Sequence, residues 1–282
     1  MSMRSIYPSK KRIIVIGDLH GDYKLTILCL SRMKLVNKKT NWCGGDTWVV
    51  QMGDQVDRGG RGNFVNDENS DIRILNLFQK LHNQAKKKGG AVISLIGNHE
   101  LMNVLGNYDY VSPLGLTEFG GKQKRYNLFK PGGPVSILLN KRPVIIKIGS
   151  WVFVHAGIDP RLVKKYNFDD INNLMKRFLS GDEYLVNNYR FIELFLSPTS
   201  LLWNRNLCSS SFSKTQCNNL LKIMNCKYIA IGHTPQNKIN SQFKKIWKVD
   251  TGMSEAFGRN SHNRMQVLEI INDGEFINIH KF

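Results

Sequence analysis

Five apolar segments of this chain end directly in Asp, Asn or His, and this pattern constrains the fold more than any other feature. The segments are RIIVIG before Asp18, TWVVQMG before Asp54, AVISLIG before Asn98, SWVFV before His155 and KYIAIG before His233. Short apolar runs of this kind are typical of buried strands. Stretches with an apolar period near 3.6 residues, typical of helices, lie between several of them. The alternation predicts an α/β fold.

The same reading gives the individual elements. Helices are predicted at Tyr23–Val36, Ile72–Lys88 and Lys214–Asn225. Strands are predicted at Arg12–Gly17, Thr47–Met52, Ala91–Ile96, Pro143–Ile148, Trp151–His155, Tyr228–Gly232, Ile246–Asp250, Met265–Ile270 and Phe276–His280. The chain has no internal repeat and no long linker, so we expect one domain over residues 1–282. An insert at 107–140, richer in Tyr, Phe and Gly than its surroundings, is predicted to form either a lid over the site or a packing subdomain.

The polar residues at the strand ends are predicted to converge. The carboxyl ends of strands in α/β sheets are where ligands bind, because their loops meet in one crevice. Six side chains there offer oxygen or imidazole ligands and no thiolate, which suits Mn, Fe or Zn: Asp18, His20, Asp54, Asn98, His155 and His233. Six ligands are too many for one catalytic ion but suit two ions about 3.5–4 Å apart that share a carboxylate. Asp54, which opens the loop after the second strand, is the natural bridge.

These residues lie in motifs with a clear resemblance. GDLHGD, GDQVDRGG, GNHE, VHAG and GHTP resemble, in order, the signature motifs of the calcineurin-like metallophosphoesterases, phosphoprotein phosphatase branch. GNHELMNVLGNYDYVSP, LLWNR and VDTGMSEAFG are similar to the Shewanella-like protein phosphatases. The resemblance implies a central two-sheet β-sandwich flanked by helices, with the active site at the C-terminal ends of the strands. The Ser-Ala-Pro-Asn-Tyr signature of eukaryotic serine/threonine phosphatases is missing, so their regulatory subunits and toxin sensitivity do not transfer.

The resemblance also implies a role for each motif residue. Asp18 and His20 would bind the first ion, Asp54 would bridge, and the other three ligands would bind the second. A metal-bridging hydroxide would attack phosphorus directly. His99 would be the general acid and Asp57 the carboxylate that orients it. Two arginines would bind phosphate; the candidates are Arg58 for the first and Arg205 for the second, with Arg161 and Arg190 as weaker alternatives to Arg205.

Three functions remain open from the sequence. The first is hydrolysis of phosphomonoesters on phosphorylated protein side chains or small phosphoesters, with phosphotyrosine and phosphoserine/threonine undecided. The second keeps the metals but hydrolyses a nucleotide anhydride or a phosphodiester. The third is a non-catalytic basic binding protein on the same scaffold, which the complete ligand set and the intact His99 argue against.

The charge and composition of the chain limit the classes of partner and the cellular location that we expect. The net charge of +18 attracts acidic partners, but its basic clusters are short and scattered, which favours a solvated surface over a dedicated nucleic-acid face. No apolar run reaches the about 18 residues of a membrane span. Five scattered cysteines without a Cys-x-x-Cys pair argue against a disulfide framework. We therefore expect an intracellular, cytoplasmic protein with no membrane partner.

Overall fold

Two β-sheets packed face to face form the centre of the molecule. The computed structural model describes residues 4–61, 67–258 and 261–282. The strands are β1 (Ile6–Tyr7), β2 (Arg12–Ile16), β3 (Trp48–Gln51), β4 (Ala91–Ser94), β5 (Ile145–Ile148), β6 (Trp151–Val154), β7 (Tyr228–Ile231), β8 (Asn240–Gln242), β9 (Ile246–Lys248), β10 (Gln266–Ile271) and β11 (Phe276–Lys281). The first sheet has the order β11-β10-β2-β3-β4, and the second has the order β1-β5-β6-β7-β9-β8.

Helices cover both outer faces of this sandwich. The helices are α1 (Tyr23–Arg32), α2 (Asp71–Lys86), α3 (Asn98–Val104), α4 (Pro113–Thr117), α5 (Lys122–Phe129), α6 (Pro134–Leu139), α7 (Pro160–Lys165), α8 (Phe168–Leu179), α9 (Tyr189–Phe191) and α10 (Lys214–Ile223). Apolar residues of α1 and α2 pack on the first sheet. Those of α7, α8 and α10 pack on the second. The two-sheet sandwich flanked by helices is therefore confirmed.

Parallel pairing within each sheet brings the strand ends to common edges. In the first sheet β2, β3 and β4 are parallel neighbours, with Val15 beside Val50 and Val50 beside Ile93. In the second, β6, β7 and β9 are parallel neighbours. The inner faces of both sheets share one buried apolar core, to which Val50 and Ile93 contribute from one side and Phe153 and Ala230 from the other. This core fixes one set of strand ends against the other.

Sequence periodicity located the main elements but not all their ends. The nine predicted strands are present, most of them shortened by a residue or two, and periodicity missed the very short β1 and β8. The predicted helix Tyr23–Val36 is wrong at its C-terminus, since α1 ends at Arg32. Lys34 has a left-handed φ of 57°, which a right-handed helix cannot continue through. Val36 then forms a bridge with Trp42.

The insert at 107–140 folds into the short helices α4, α5 and α6. Phe129 and Leu139 from this segment are buried in the apolar cluster between the second sheet and the helices that cover its outer face. Tyr110, before α4, reaches the His99 ring, with 4.8 Å between ring centroids. The insert therefore packs on the sandwich and also forms one wall beside the strand ends. Within the described residues, no helix has the length and apolar character needed to span a bilayer.

Candidate active site

The turns after the strands hold several side chains in unusual backbone conformations. Positive φ angles occur at His20 (40°), Asp54 (49°), Asp57 (74°) and His233 (63°). Such angles are unfavourable for residues other than glycine and persist where the surrounding structure enforces them, often at functional sites. Gly97 contributes to this crowding, because a Cβ at that position would collide with the Asp54 carboxylate.

Two overlapping groups of buried side chains have the geometry to hold metal ions. Atoms of His20, Asp54 and His99 that can bind a metal lie within 4.8 Å of one another, and so do those of Asp54, His155 and His233. Asp54 belongs to both groups, as a bridging ligand would. Its Oδ2 lies 3.9 Å from Nε2 of His20 and 3.4 Å from Nε2 of His155.

The remaining predicted ligands lie at the same place. Asn98 Oδ1 is 3.0 Å from His155 Nε2 and 2.9 Å from His233 Nδ1. Asp18 Oδ2 accepts a hydrogen bond from the His233 backbone N–H. Asp18 Oδ1 and His233 Nε2 are buried without a hydrogen-bond partner among the described residues. Buried polar atoms normally have partners, so these two are suited to face a bound cation.

The charge balance of the cluster also suits cations. Burial and the charges of Asp250 and Asp54 raise the pKa of Asp18 well above its ordinary value. Burial and His155 lower the pKa of His233 to about 3. Burial, the Arg61 guanidinium and His99 lower the pKa of His20. The lowered pKa values favour neutral imidazoles at His20 and His233, as metal binding requires, whereas the charge of Asp54 raises the pKa of His155 against the effect of burial. The residues therefore fit metal ions.

His99 and Asp57 form a buried dyad beside the ligands. His99 Nδ1 lies 2.8 Å from Asp57 Oδ2. Asp57 Oδ1 accepts a hydrogen bond from Asn103 Nδ2 at 2.8 Å. Arg125, on α5 of the insert, donates from Nε to Asn103 Oδ1 and from Nη2 to Asp71 Oδ2 at 2.7 Å. A network that starts in the insert thus fixes the carboxylate beside His99.

The arginines of the site are not equivalent. Both Nη atoms of Arg58 are bound to carboxylates: Nη1 lies 2.9 Å from Asp22 and Nη2 lies 3.0 Å from Glu255. Arg205 is exposed and donates to the backbone oxygen of His233 and the hydroxyl of Thr234. The weaker candidates lie in local contacts elsewhere: Arg161 pairs with Asp159, and Arg190 with Asp170.

Arg61 is the arginine that the sequence did not single out. Its Nη2 lies 3.0 Å from His20 Nδ1 and 3.1 Å from His99 Nε2. The guanidinium is also sandwiched between the rings of Tyr110 and Phe257, at 5.0 and 4.9 Å from their centroids. It follows two glycines in a loop with no regular pattern, so the only signal for it was its nearness to GDQVDRGG.

Asp250 is a second residue that was missed. It is buried, Oδ1 accepts a hydrogen bond from the Gly252 N–H, and Oδ2 has no partner among the described residues. Burial, helped by the charge of Asp54, raises the pKa of Asp250 to about 6. Its signal was present, because the predicted strand Ile246–Asp250 also ends in a carboxylate.

Comparison with known proteins agrees with this geometry. A family model of the calcineurin-like phosphoesterases matches residues 11–237. Shewanella-like protein phosphatase 1 of Plasmodium berghei is 32% identical over 254 residues, covering 86% of this chain and 67% of that protein. Shewanella-like protein phosphatase 2 of Arabidopsis thaliana is 27% identical over 321 residues, covering 96% and 78%. The crystal structure of a cold-active protein-tyrosine phosphatase of a psychrophilic Shewanella species matches with a TM-score of 0.82 at 23% identity, covering 99% of this chain and 83% of that one.

Proposed function

This chain belongs to the calcineurin-like phosphoesterase family, a family of hydrolases, and we propose that it is a dinuclear-metal-dependent phosphatase acting on phosphorylated protein side chains. The observation that carries the proposal is the place of Asp54 in both metal-competent groups. The relatives from Plasmodium berghei and Arabidopsis thaliana are named as protein phosphatases, which supports a phosphoprotein substrate.

We assign Asp18, His20 and Asp54 to one ion, and Asp54 with Asn98, His155 and His233 to the other. The donor set of carboxylate, amide and imidazole suits Mn, Fe or Zn. Bound there, the ions would neutralise phosphate charge and acidify a water molecule. The protein's contribution is to hold these side chains rigidly on strand ends from both sheets.

His99 is proposed as the general acid for the leaving oxygen. The Asp57 carboxylate accepts a hydrogen bond from Nδ1–H of His99, which leaves Nε2 directed to the site. An arginine only donates, so the contact from Arg61 means that Nε2 is unprotonated in this arrangement. To donate a proton, His99 must be protonated at Nε2, and Arg61 must turn away from it.

Arg61 is proposed to turn toward the substrate phosphate. Its guanidinium fork can bind two phosphate oxygens. In the present arrangement Nη1 donates to the backbone oxygens of Asp57 and Gly59, Nη2 contacts imidazole nitrogens, and no carboxylate of the described residues forms an ion pair with it. Arg58 can bind phosphate through both Nη atoms only if the phosphate displaces Asp22 and Glu255. We keep Arg58 and Arg205 as candidate phosphate ligands and add Arg61 to them.

The mouth of the site favours an aromatic leaving group. Tyr110 lies against the His99 ring, and Phe257 lies against the His20 ring with 5.2 Å between centroids. Aromatic walls on both sides of Arg61 can pack on a phenyl ring in edge-to-face geometry. Among phosphorylated side chains this arrangement favours phosphotyrosine.

A substrate panel tests the proposal. Purified protein with added Mn²⁺ is assayed with phosphotyrosine, phosphoserine and phosphothreonine peptides and with dinucleoside polyphosphates. We expect phosphopeptide hydrolysis, with phosphotyrosine the best substrate, and loss of activity in chelator. Preference for the dinucleoside polyphosphates would instead support the nucleotide anhydride function. No hydrolysis by metal-loaded protein would support the non-catalytic binding protein.

Metal content tests the bridge separately. Asp54→Asn should reduce the binding of both ions, because its carboxylate serves both. Asp57→Asn is the matched control: it makes the same carboxylate-to-amide change, and we expect it to keep both ions while reducing activity. Metal analysis that finds a single ion in the wild type, or both ions fully retained in Asp54→Asn, would contradict the dinuclear assignment.

A further inference from the structure

A second cavity lies away from the strand ends. It has a volume of about 350 Å³ and is lined by residues of α2, of β4 and of the segments before β1 and β5. None of its described lining residues is a predicted metal ligand or phosphate-binding arginine of the active site. This volume is at the lower end of the range for small-molecule sites, about 300–1,000 Å³.

The charged groups around this cavity all have the same sign. Arg4, Lys86, Lys141 and Arg142 line it, and no acidic residue is among the described lining residues. Lys86 and Lys141 are exposed, and Arg142 is buried. Phe78, Val92 and Pro143 contribute apolar surface. The cavity therefore combines a strong positive potential with an apolar wall.

Arg142 is a buried cation that has no carboxylate partner in the part of the chain that the structure describes. Its side chain donates to Gln55 Oε1 and to the backbone oxygen of Leu75. No carboxylate of the described residues forms an ion pair with it within 4.0 Å. Glu100 raises the pKa of Arg142 through its charge without forming an ion pair with it. The Glu100 carboxylate oxygens instead accept hydrogen bonds from the backbone N–H groups of Asp54, Gln55 and Gly97.

That situation is unfavourable for an isolated protein. Burial lowers the pKa of Arg142 to about 10, even with the opposing effect of Glu100. Buried charges are normally paired, because removing an ion from water costs several kcal/mol. An anion in the cavity would supply the missing negative charge.

We propose that this cavity binds a small phosphate-bearing anion, held between Arg142 in its wall and Lys86 and Lys141 at its exposed edge. Arg142 uses one N–H of each Nη atom for Gln55 and Leu75, so its remaining N–H groups would donate to the phosphate, which accepts further hydrogen bonds from the lysines. The apolar wall of Phe78 and Pro143 leaves room for a small apolar group attached to the phosphate. The site is distinct from the catalytic centre and does not depend on the metals.

Isothermal titration calorimetry in about 150 mM salt tests this proposal. The probes are inorganic phosphate and phenylphosphonate, whose P–C bond resists hydrolysis. We expect one saturable site that persists after chelator treatment. Lys86→Ala/Lys141→Ala should weaken it by at least about tenfold, since the change removes two charge-assisted hydrogen bonds to the anion. Tighter binding of phenylphosphonate would identify a phosphorylated organic ligand, and tighter phosphate binding the free ion.

Matched variants separate this site from other basic surfaces. Lys38→Ala/Lys39→Ala removes the same charge at two exposed lysines that do not line the cavity, and Arg61→Ala removes a cation from the active site. Both should keep the chelator-resistant binding. Arg142→Met should abolish it, and the lysine pair decides alone if that variant does not fold. Binding that disappears with chelator, or that weakens equally in the two lysine pairs, would overturn the proposal.

Discussion

Replacing Arg125 by Met is expected to destabilise the protein strongly, although Arg125 is predicted to touch neither metal nor substrate. Its side chain is fully buried and lies 2.7 Å from Asp71, which is 6% exposed. Arg125 also donates to Asn103 Oδ1 and to the Gly115 backbone oxygen, both at 2.8 Å. The variant leaves Asp71 as a buried carboxylate without its cation.

The size of the effect follows from that burial. Removing one partner of a buried ion pair costs about 3–5 kcal/mol. At about 2–4 °C per kcal/mol for chains of roughly this size, Tm should fall by roughly 10 °C. Asp71→Asn in the Arg125→Met background should recover part of the loss, because the amide carries no charge and can still accept the backbone N–H of Asp57.

The matched control is Arg161→Met. Arg161 pairs with Asp159 at 2.6 Å, a similar distance, but its side chain is 81% exposed. Exposed pairs contribute little to stability, so Tm should hardly change. Thermal unfolding followed by circular dichroism measures all four proteins. Equal Tm losses in Arg125→Met and Arg161→Met would refute the reasoning from burial.

Four further results are expected. His99→Asn should keep both metals and slow phosphoserine hydrolysis most, by a factor of about 10²–10⁴, with a smaller loss for phosphotyrosine and the smallest for a nitrophenyl ester. Equal losses for the three substrates would point to positioning by His99 instead of proton donation. Arg61→Ala should lower kcat/KM by roughly tenfold to a hundredfold, since it removes charge-assisted bonds to phosphate, and Arg61→Lys should restore only part; unchanged kinetics would remove Arg61 from the site. Burial and the charge of Asp71 raise the pKa of Glu118 to about 7. The folded protein therefore binds this proton more tightly than the unfolded chain, and the stability of the protein should decrease as pH rises from about 4.5 to 7. Glu118→Gln should raise Tm relative to wild type at pH 8 but not at pH 4, and an equal shift at both pH values would contradict this. If the +18 charge is only a solvated surface, binding to duplex DNA should be weak and disappear steeply with salt in a filter-binding assay, and salt-tolerant binding would count against it.

Five of the six predicted ligands were accessible from sequence because each comes directly after a predicted strand, and His20 lies only two residues beyond Asp18. Asp54 and His155 come just after apolar runs, and short-range pattern therefore located them. Residues that directly follow a predicted strand can be recognised from sequence alone. Parallel pairing within each sheet then brings these strand ends to a common edge.

Contacts between distant segments were not accessible. Arg58 pairs with Glu255, 197 residues further along the chain, and no local pattern indicates which carboxylate a given arginine meets. Arg61 reaches His20 and His99 across 41 and 38 residues. The network from Arg125 to Asp57 likewise depends on how the insert packs, which periodicity does not determine.

The six predicted ligands come from both sheets: Asp18, His20, Asp54 and Asn98 follow strands of one, and His155 and His233 follow strands of the other. The apolar core between the sheets fixes their separation, and this separation sets the distance between the ligands of one sheet and those of the other. Removing volume there, for example at Phe153, lets the sheets relax toward each other. Displacements of about 1 Å can cost 10²-fold in rate. Residues that never meet the substrate thus determine the reach of those that do, and changes in catalytic rate can be selected in the interior of the sandwich as well as in its loops.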